Sequence, residues 1–343
     1  MQNFLKILIL TFFLSTGIVE AKYDIGSLYN QFNSENISQN EIQQWLDQFD
    51  SEDQEAAVLL LEQIQYFSYK QLMNDLKLLH KKLLLKLKID GFINNSEKEL
   101  VFESVDFSKT FPAKSGDLIS YFYRGSNLIR AVSFKNLSDL FVSTEQNINS
   151  NKALVILEDY VGTGTQFLFE LYAKRYYELF NSYRKVYFVV LVATKNAVNR
   201  FEKITNGDYD SLTQDFISIL NIQDENAKKE VLANFRRIPK DKLEIIYLHK
   251  EIPLNDSSRN PDTTNKLLAL LDKYNIKRYL GGNFSSFGHT VFFYNCPNNL
   301  PEILWNSQSI HRDKTPWTPL FKRVEDLSIY DMSKTMPIEE QIW

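Results

Sequence analysis

Cysteine is all but missing: Cys296 is the single one in 343 residues. No internal disulfide can form, which suits a reducing compartment. Histidine is scarce too. His80, His249, His289 and His311 are scattered, and neither an H-E-x-x-H pattern nor a Cys/His cluster occurs. That removes the usual frameworks for a structural zinc. No sign of charge dominates, since 39 Lys plus Arg face 43 Asp plus Glu for a net charge of −4. The chain as a whole is therefore no basic nucleic-acid binder, and only a local basic face stays open. Glycine numbers 11, about half the usual share, so each one is more informative than usual. Internal repeats and low-complexity tracts are absent. What is present, 44% apolar and 24% charged residues, is ordinary for a globular chain. It excludes a mostly disordered, collagen-like or long coiled-coil protein. The length allows one large domain or two smaller ones with a real core.

Long hydrophobic runs are also lacking, with one exception at the start. Residues 4–19 are almost wholly apolar, yet this run is shorter than the roughly 20 residues of a membrane span. Lys6 near its beginning and Val19-Glu20-Ala21 at its end give it the outline of a secretory signal. It reads equally as a helix packed on the protein, or as the product of a start placed upstream of a chain that begins near Tyr23. We set residues 1–22 apart as this signal-like segment and expect no stable membrane span.

Residues 38–88 read as three helices. Ser38-x-x-Glu41, Ser51-x-x-Gln54 and Ser68-x-x-Gln71 each have the spacing of a capping box. There a hydroxyl and a later side chain satisfy orphan N–H groups. Trp45, Leu46 and Phe49 give the first helix its apolar face, and Ala57, Leu60, Leu61 and Ile64 the second. Leu72, Leu76, Leu79, Leu83 and Leu87 follow helical spacing in the third. With the extended segment 99–107, residues 23–107 fit a small helical, winged-helix-like module. The third helix carries Lys70, Lys77, Lys81, Lys82, Lys86 and Lys88 against one acid, Asp75. Such a face reads most simply as solvated, and otherwise as a surface turned to nucleic acid.

After residue 108 the pattern alternates. The runs 153–157, 186–193 and 243–248 are short and nearly all apolar, with helical stretches at 166–180, 197–204, 227–235 and 263–274. Buried parallel strands alternate with helices in this way. We expect an α/β architecture with a mostly parallel sheet over 108–323 and its ligand site beyond the carboxyl ends of the strands. The polar segment 205–226 reads as an inserted loop or helix. Residues 297–337 hold five of the nine prolines and read as an extended wrap, with 324–343 a C-terminal tail.

The chemistry concentrates in one segment. The apolar run from Ala153 leads into Glu158 and Asp159, then Tyr160 and Val161, then Gly162, Thr163, Gly164 and Thr165, then a helix from about Gln166. Two glycines let a backbone approach an anion closely and expose its N–H groups. The threonines add hydroxyl donors, and the helix start adds the positive end of its dipole. Together these parts would cradle a phosphate monoester. The paired carboxylates would accept from vicinal sugar hydroxyls and hold a hydrated Mg²⁺. Other phosphate loops fit worse. No lysine follows as in a Walker A loop, and Phe167 occupies the third glycine of the Rossmann fingerprint.

This segment resembles the ribose-5-phosphate signature of type I phosphoribosyltransferases. The resemblance makes Glu158 and Asp159 the paired acids, and Gly162, Thr163, Gly164 and Thr165 the 5′-phosphate loop. Pro112-Ala-Lys114-Ser115-Gly116-Asp117 resembles the family's early pyrophosphate loop, which nominates Lys114, Ser115 and Gly116. Near the end, Asn295-Cys296-Pro297-Asn298-Asn299 is followed by Leu300-Pro-Glu-Ile-Leu-Trp305 and by Trp317-Thr-Pro319-Leu320-Phe321-Lys322-Arg323. That ending is similar to the one found in phosphoribosyltransferase-like proteins of bacterial conflict systems, the PRTase-CE type. Members of that type often carry a winged-helix-like module in front. Cys296 departs from their usual threonine and reads as a packed thiol rather than a nucleophile. Asn298 and Asn299 are nominated as substrate-facing, because Asn tolerates tight turns and offers both donors and acceptors.

The resemblance implies phosphoribosyl pyrophosphate as ligand, Mg²⁺ as cofactor, and transfer or hydrolysis of the phosphoribosyl group in antiphage defence. Glu158, Asp159 and Lys114 would carry the chemistry. His289, Arg124 and Lys195 are further pocket candidates, and the acceptor stays open. A competing reading is a non-catalytic sensor of the same ligand that controls a nucleic-acid-binding or partner-binding module, and for either reading a homo-oligomer stays open. A third is an exported binding protein, which conflicts with a ligand made and kept inside cells. A cytoplasmic location is therefore expected.

Overall fold

The computed structural model describes residues 23–32, 37–93, 105–109, 115–129, 134–136, 140, 151–164, 167, 180–220, 223–235, 241–274, 287–297, 299–307 and 317–321. The signal-like segment 1–22, the tail 324–343 and the nominated Lys114, Thr165 and Asn298 lie outside them.

The chain opens with α1 (Ile25–Phe32), α2 (Gln39–Leu46), α3 (Gln54–Glu62), β1 (Gln65–Phe67) and α4 (Tyr69–Ile89). At α2 the expected capping box forms. Ser38 Oγ accepts from the Glu41 N–H, and the Glu41 carboxylate accepts from the Ser38 N–H at 2.8 Å. Ser68 likewise caps α4 by accepting from the Gln71 N–H at 3.3 Å. The box expected at Ser51 does not cap α3, whose N-cap is Asp53 with no side-chain cap bond. Its carboxylate is drawn away instead, to Lys273 at 2.5 Å and to the Tyr274 hydroxyl at 2.9 Å.

Next come β2 (Val105–Lys109), α5 (Ser115–Asn127), β3 (Phe134–Asn136), β4 (Ala153–Val161) and β5 (Lys185–Thr194). They are followed by α6 (Lys195–Asn206), α7 (Tyr209–Leu220), α8 (Glu225–Phe235), β6 (Leu243–Glu251), α9 (Pro261–Lys273) and β7 (Thr290–Phe292). The segment read as an insertion over 205–226 is thus largely α7. Strands β2 to β6 form one parallel sheet in the order β3-β2-β4-β5-β6. Strands β1 and β7 form a separate parallel pair. Among the described residues, no helix is long and apolar enough to cross a membrane.

Period-two alternation gives the main sheet two apolar faces. Leu154, Ile156, Val186, Phe188 and Val190 pack with α6 and α8 residues such as Phe201 and Phe235. Ala153, Val155, Leu157, Tyr187, Val189 and Leu191 pack with Leu72, Leu76, Leu79, Leu83 and Leu87 of α4 and with Phe122 and Tyr123 of α5. The leucine stripe of α4 therefore covers the sheet, and Lys82 and Lys86 reach the Tyr247 carbonyl and Glu244 of β6, each at 2.7 Å. A third core joins α1–α3 to α9 and the C-terminal segment. Trp45 and Trp317 both donate to the Ile303 carbonyl, at 3.0 and 2.6 Å. The expected wrap is packed at these points and includes a short 3₁₀ turn, Glu302–Leu304.

Candidate functional site

Strand order fixes where a ligand can sit. From β2 the chain moves to β3 on one side, and from β4 it moves to β5 and β6 on the other. The direction reverses between β2 and β4, and in open α/β sheets the ligand crevice lies outside the carboxyl ends at such a switch point. Lys109, the last residue of β2, pairs with Leu157, the residue before Glu158. The end of β2 and the acid pair of β4 therefore lie on neighbouring strands at the switch point, and of the segment nominated over 112–117 the described residues begin at Ser115. Ser115 and Gly116 form the start of α5.

Glu158 and Asp159 lie inside β4 rather than after it, because pairing with β5 carries the strand on to Val161. They differ in setting. Asp159 is 4% exposed. Its Oδ2 accepts from the Tyr294 hydroxyl at 2.8 Å, and its Oδ1 from the Tyr160 N–H at 2.8 Å. Burial, reinforced by Asp159 and then Glu158, pushes the Tyr294 hydroxyl well above its ordinary pKa, so it stays a donor. Glu158 is only half-buried. Its Oε1 accepts from the Asp159 N–H at 3.2 Å, and of the pair it is the less enclosed.

The loop after β4 is held from behind. The Thr194 hydroxyl at the end of β5 donates to the Gly162 carbonyl, and Arg200 of α6 donates to the Thr163 carbonyl. In a trans peptide the N–H points opposite to the carbonyl of the same unit. The N–H groups of Thr163 and Gly164 consequently face away from Thr194 and Arg200. Gly164 has φ +71°, the left-handed region that a side chain strains. Successive backbone N–H groups are the kind of donors that receive an anion. Thr194 also caps α6, accepting from the Ala197 N–H at 3.2 Å. Neither Thr194 nor Arg200 stood out in the sequence. The only signal was a Thr before a helical pattern.

Asn299 reaches this loop from the far end of the chain. Its Nδ2 donates to the Tyr160 hydroxyl at 2.6 Å, and Tyr160 donates to Glu251 Oε1 at 2.6 Å. Glu251, at the end of β6, is 2% exposed. Its Oε2 accepts from the Thr290 hydroxyl at 2.5 Å and the His289 N–H at 3.2 Å. The His289 ring stands 3.8 Å from that carboxylate. Burial holds its pKa below the ordinary value, outweighing Glu251, and Arg259 lowers it further. Sequence reasoning nominated Asn299 and His289 but missed Glu251 and Tyr160. Gly288 packs so closely that a Cβ there would sit 2.6 Å from both Asn299 Nδ2 and the Tyr160 hydroxyl.

Two other nominated residues have partners of their own: Lys195, next to Thr194 at the start of α6, is paired with Asp256 at 3.1 Å, and the Arg124 guanidinium lies over the Phe134 ring. Cys296 is buried in the core shared with α1–α3, as a packed thiol should be. Among the described residues, Asp50, Glu52 and Asp53 are close enough to hold a cation. Lys273 already occupies that position, 2.5 to 3.2 Å from all three carboxylates.

A parallel α/β sheet with a switch point between β2 and β4 is consistent with a phosphoribosyltransferase-like fold. The family follows from its sequence: a model described as PRTase-CE matches residues 42–323, and the chain belongs to that family. No curated protein and no solved structure matches it.

Proposed function

We propose that this protein binds phosphoribosyl pyrophosphate with Mg²⁺ at the β2/β4 switch point and transfers or hydrolyses the phosphoribosyl group, in the cytoplasm and in antiphage defence. The observation that supports the reading is that β2 ends beside Leu157, next to the acid pair of β4, while the Gly162 and Thr163 carbonyls are tied to Thr194 and Arg200. The donors of 162–165 suit the 5′-phosphate. Glu158 suits the ribose hydroxyls, with Asp159 fixed beside it by Tyr294 and Tyr160. Carboxylate oxygens are hard donors of the kind Mg²⁺ takes through water, so this donor set fits the ion. Bound there, Mg²⁺ would neutralise charge on the pyrophosphate. Lys114 and the start of α5 would hold the same group. As the bond to pyrophosphate breaks, the sugar gains oxocarbenium-like charge, and the chain's contribution is positioning and charge stabilisation.

Titration calorimetry with phosphoribosyl pyrophosphate and Mg²⁺ tests the reading. The wild type should bind. Glu158→Gln, which keeps the shape and removes the charge, should bind about tenfold or more weakly at equal thermal stability, a loss of about 1.4 kcal/mol. No binding by the folded wild type would remove this ligand, and an unchanged affinity would remove Glu158 from its site. Binding without pyrophosphate release would instead favour the sensor reading. For that use α4 keeps Lys70, Lys77, Lys81 and Lys88 exposed beside Leu78, Leu85 and Ile89.

A further inference from the structure

Asn299 Oδ1 is buried and has no hydrogen-bond partner. Such an atom costs free energy unless something bonds to it. Its position is not accidental, because the neighbouring bonds dictate which way the amide turns. A tyrosine hydroxyl has one proton. The Glu251 carboxylate also receives the His289 N–H and the Thr290 hydroxyl, so it acts as an acceptor, and the Tyr160 proton goes to it at 2.6 Å. Tyr160 is left with lone pairs alone. Only the NH₂ end of Asn299 can approach it, as it does at 2.6 Å. The amide cannot flip without setting two lone-pair atoms against each other. Oδ1 is thereby committed as an acceptor.

We infer that Glu251 and Tyr160 are positioning residues that fix Asn299, and that Asn299 Oδ1 receives a hydroxyl of the ligand's sugar. Placement favours this donor. A Cβ built on Gly162 would lie 3.3 Å from Asn299 Nδ2 and 3.3 Å from the Tyr160 ring. The amide thus abuts the stretch that joins the paired acids to the loop. If the loop holds the 5′-phosphate, as in the proposed function on which this inference rests, the bordering part of the ligand is the sugar. A neutral carbonyl oxygen suits a hydroxyl and repels a phosphate oxygen. Gly288, lacking a side chain, lets the amide close on Tyr160, and its N–H donates to the main-chain carbonyl of Asn299 at 2.9 Å.

The test is calorimetric titration of the full chain, with Mg²⁺, by ribose 5-phosphate and its 2-deoxy and 3-deoxy analogues. The wild type should favour ribose 5-phosphate over both. In Asn299→Ser, the preference over one analogue should shrink roughly three- to tenfold while the other persists. Tyr160→Phe should shrink the same preference. A merely structural loosening would weaken all three sugars alike and leave the ratios unmoved, which would overturn the inference. No binding of any of the three, or no preference among them, by a folded wild type that binds phosphoribosyl pyrophosphate would overturn this inference alone, whereas failure to bind phosphoribosyl pyrophosphate as well would overturn the proposed function. Should Tyr160→Phe melt early, Asn299→Ser decides alone, since it leaves the Tyr160–Glu251 bond in place.

Discussion

His289 illustrates how a single side chain reports on the site. Burial keeps its imidazole from taking a proton, and Arg259 adds to that effect. The unfolded chain binds this proton below about pH 6.5 while the native state resists it. Unfolding then takes up a proton, so stability is fully present above that pH and is lost as the pH falls below it. His289→Gln should flatten the fall of Tm between about pH 7.5 and 5.5. Thermal melts of both proteins at several pH values would show it, and parallel slopes would mean that other groups set the acid limit. The acid pair makes a related point. Sequence presents Glu158 and Asp159 as equivalents, yet one is bonded on both oxygens within the fold and the other is half-open. Nothing local to the sequence forecasts that Tyr294, 135 residues away, is the partner.

Helix α4 shows what an element reveals and conceals. Its leucine spacing is legible, and so is its start at Ser68. The surface it covers is not, because an amphipathic helix specifies an apolar face without naming the partner. Here the partner is the sheet, through Tyr187 and Leu191 among others. Leu83 is fully buried in that contact. Leu83→Ala should cost about 3 kcal/mol by removing buried methyl groups and leaving a cavity, measured by chemical denaturation. A loss under about 1 kcal/mol would show that the helix closes the gap. The extended segment expected over 99–107 supplies β2, whose described residues pair with β3 and β4 in the main sheet. A run of alternating residues does not say which neighbour it joins.

At the scale of the molecule, the helical front and the α/β part share buried surface. Leucines of α4 enclose one face of the main sheet, and α1–α3 share a core with α9 and the C-terminal segment. A chain beginning at residue 105 would keep β2 and expose both surfaces. It should lack a cooperative melt and aggregate, whereas the full chain should melt in one transition. A sharp transition in the shortened protein, read by calorimetry and near-UV circular dichroism, would establish the front as a separable module.

The sequence by itself determined the local features. These are the periods of helices and strands, the Ser38 and Ser68 caps, and a strand, acid pair and glycine loop in the order that phosphate chemistry uses. Each rests on residues within a few positions of one another, where propensity and spacing act directly. The tertiary structure alone decided the strand order that puts the switch point between β2 and β4, and the ties of Thr194 and Arg200 to the loop carbonyls. It also decided the path from Glu251 through Tyr160 to Asn299, which spans 91 and then 139 residues. Such contacts form only when the two buried faces of the sheet are covered and its strands aligned, and hydrophobic burial drives that step without leaving a local trace in the sequence.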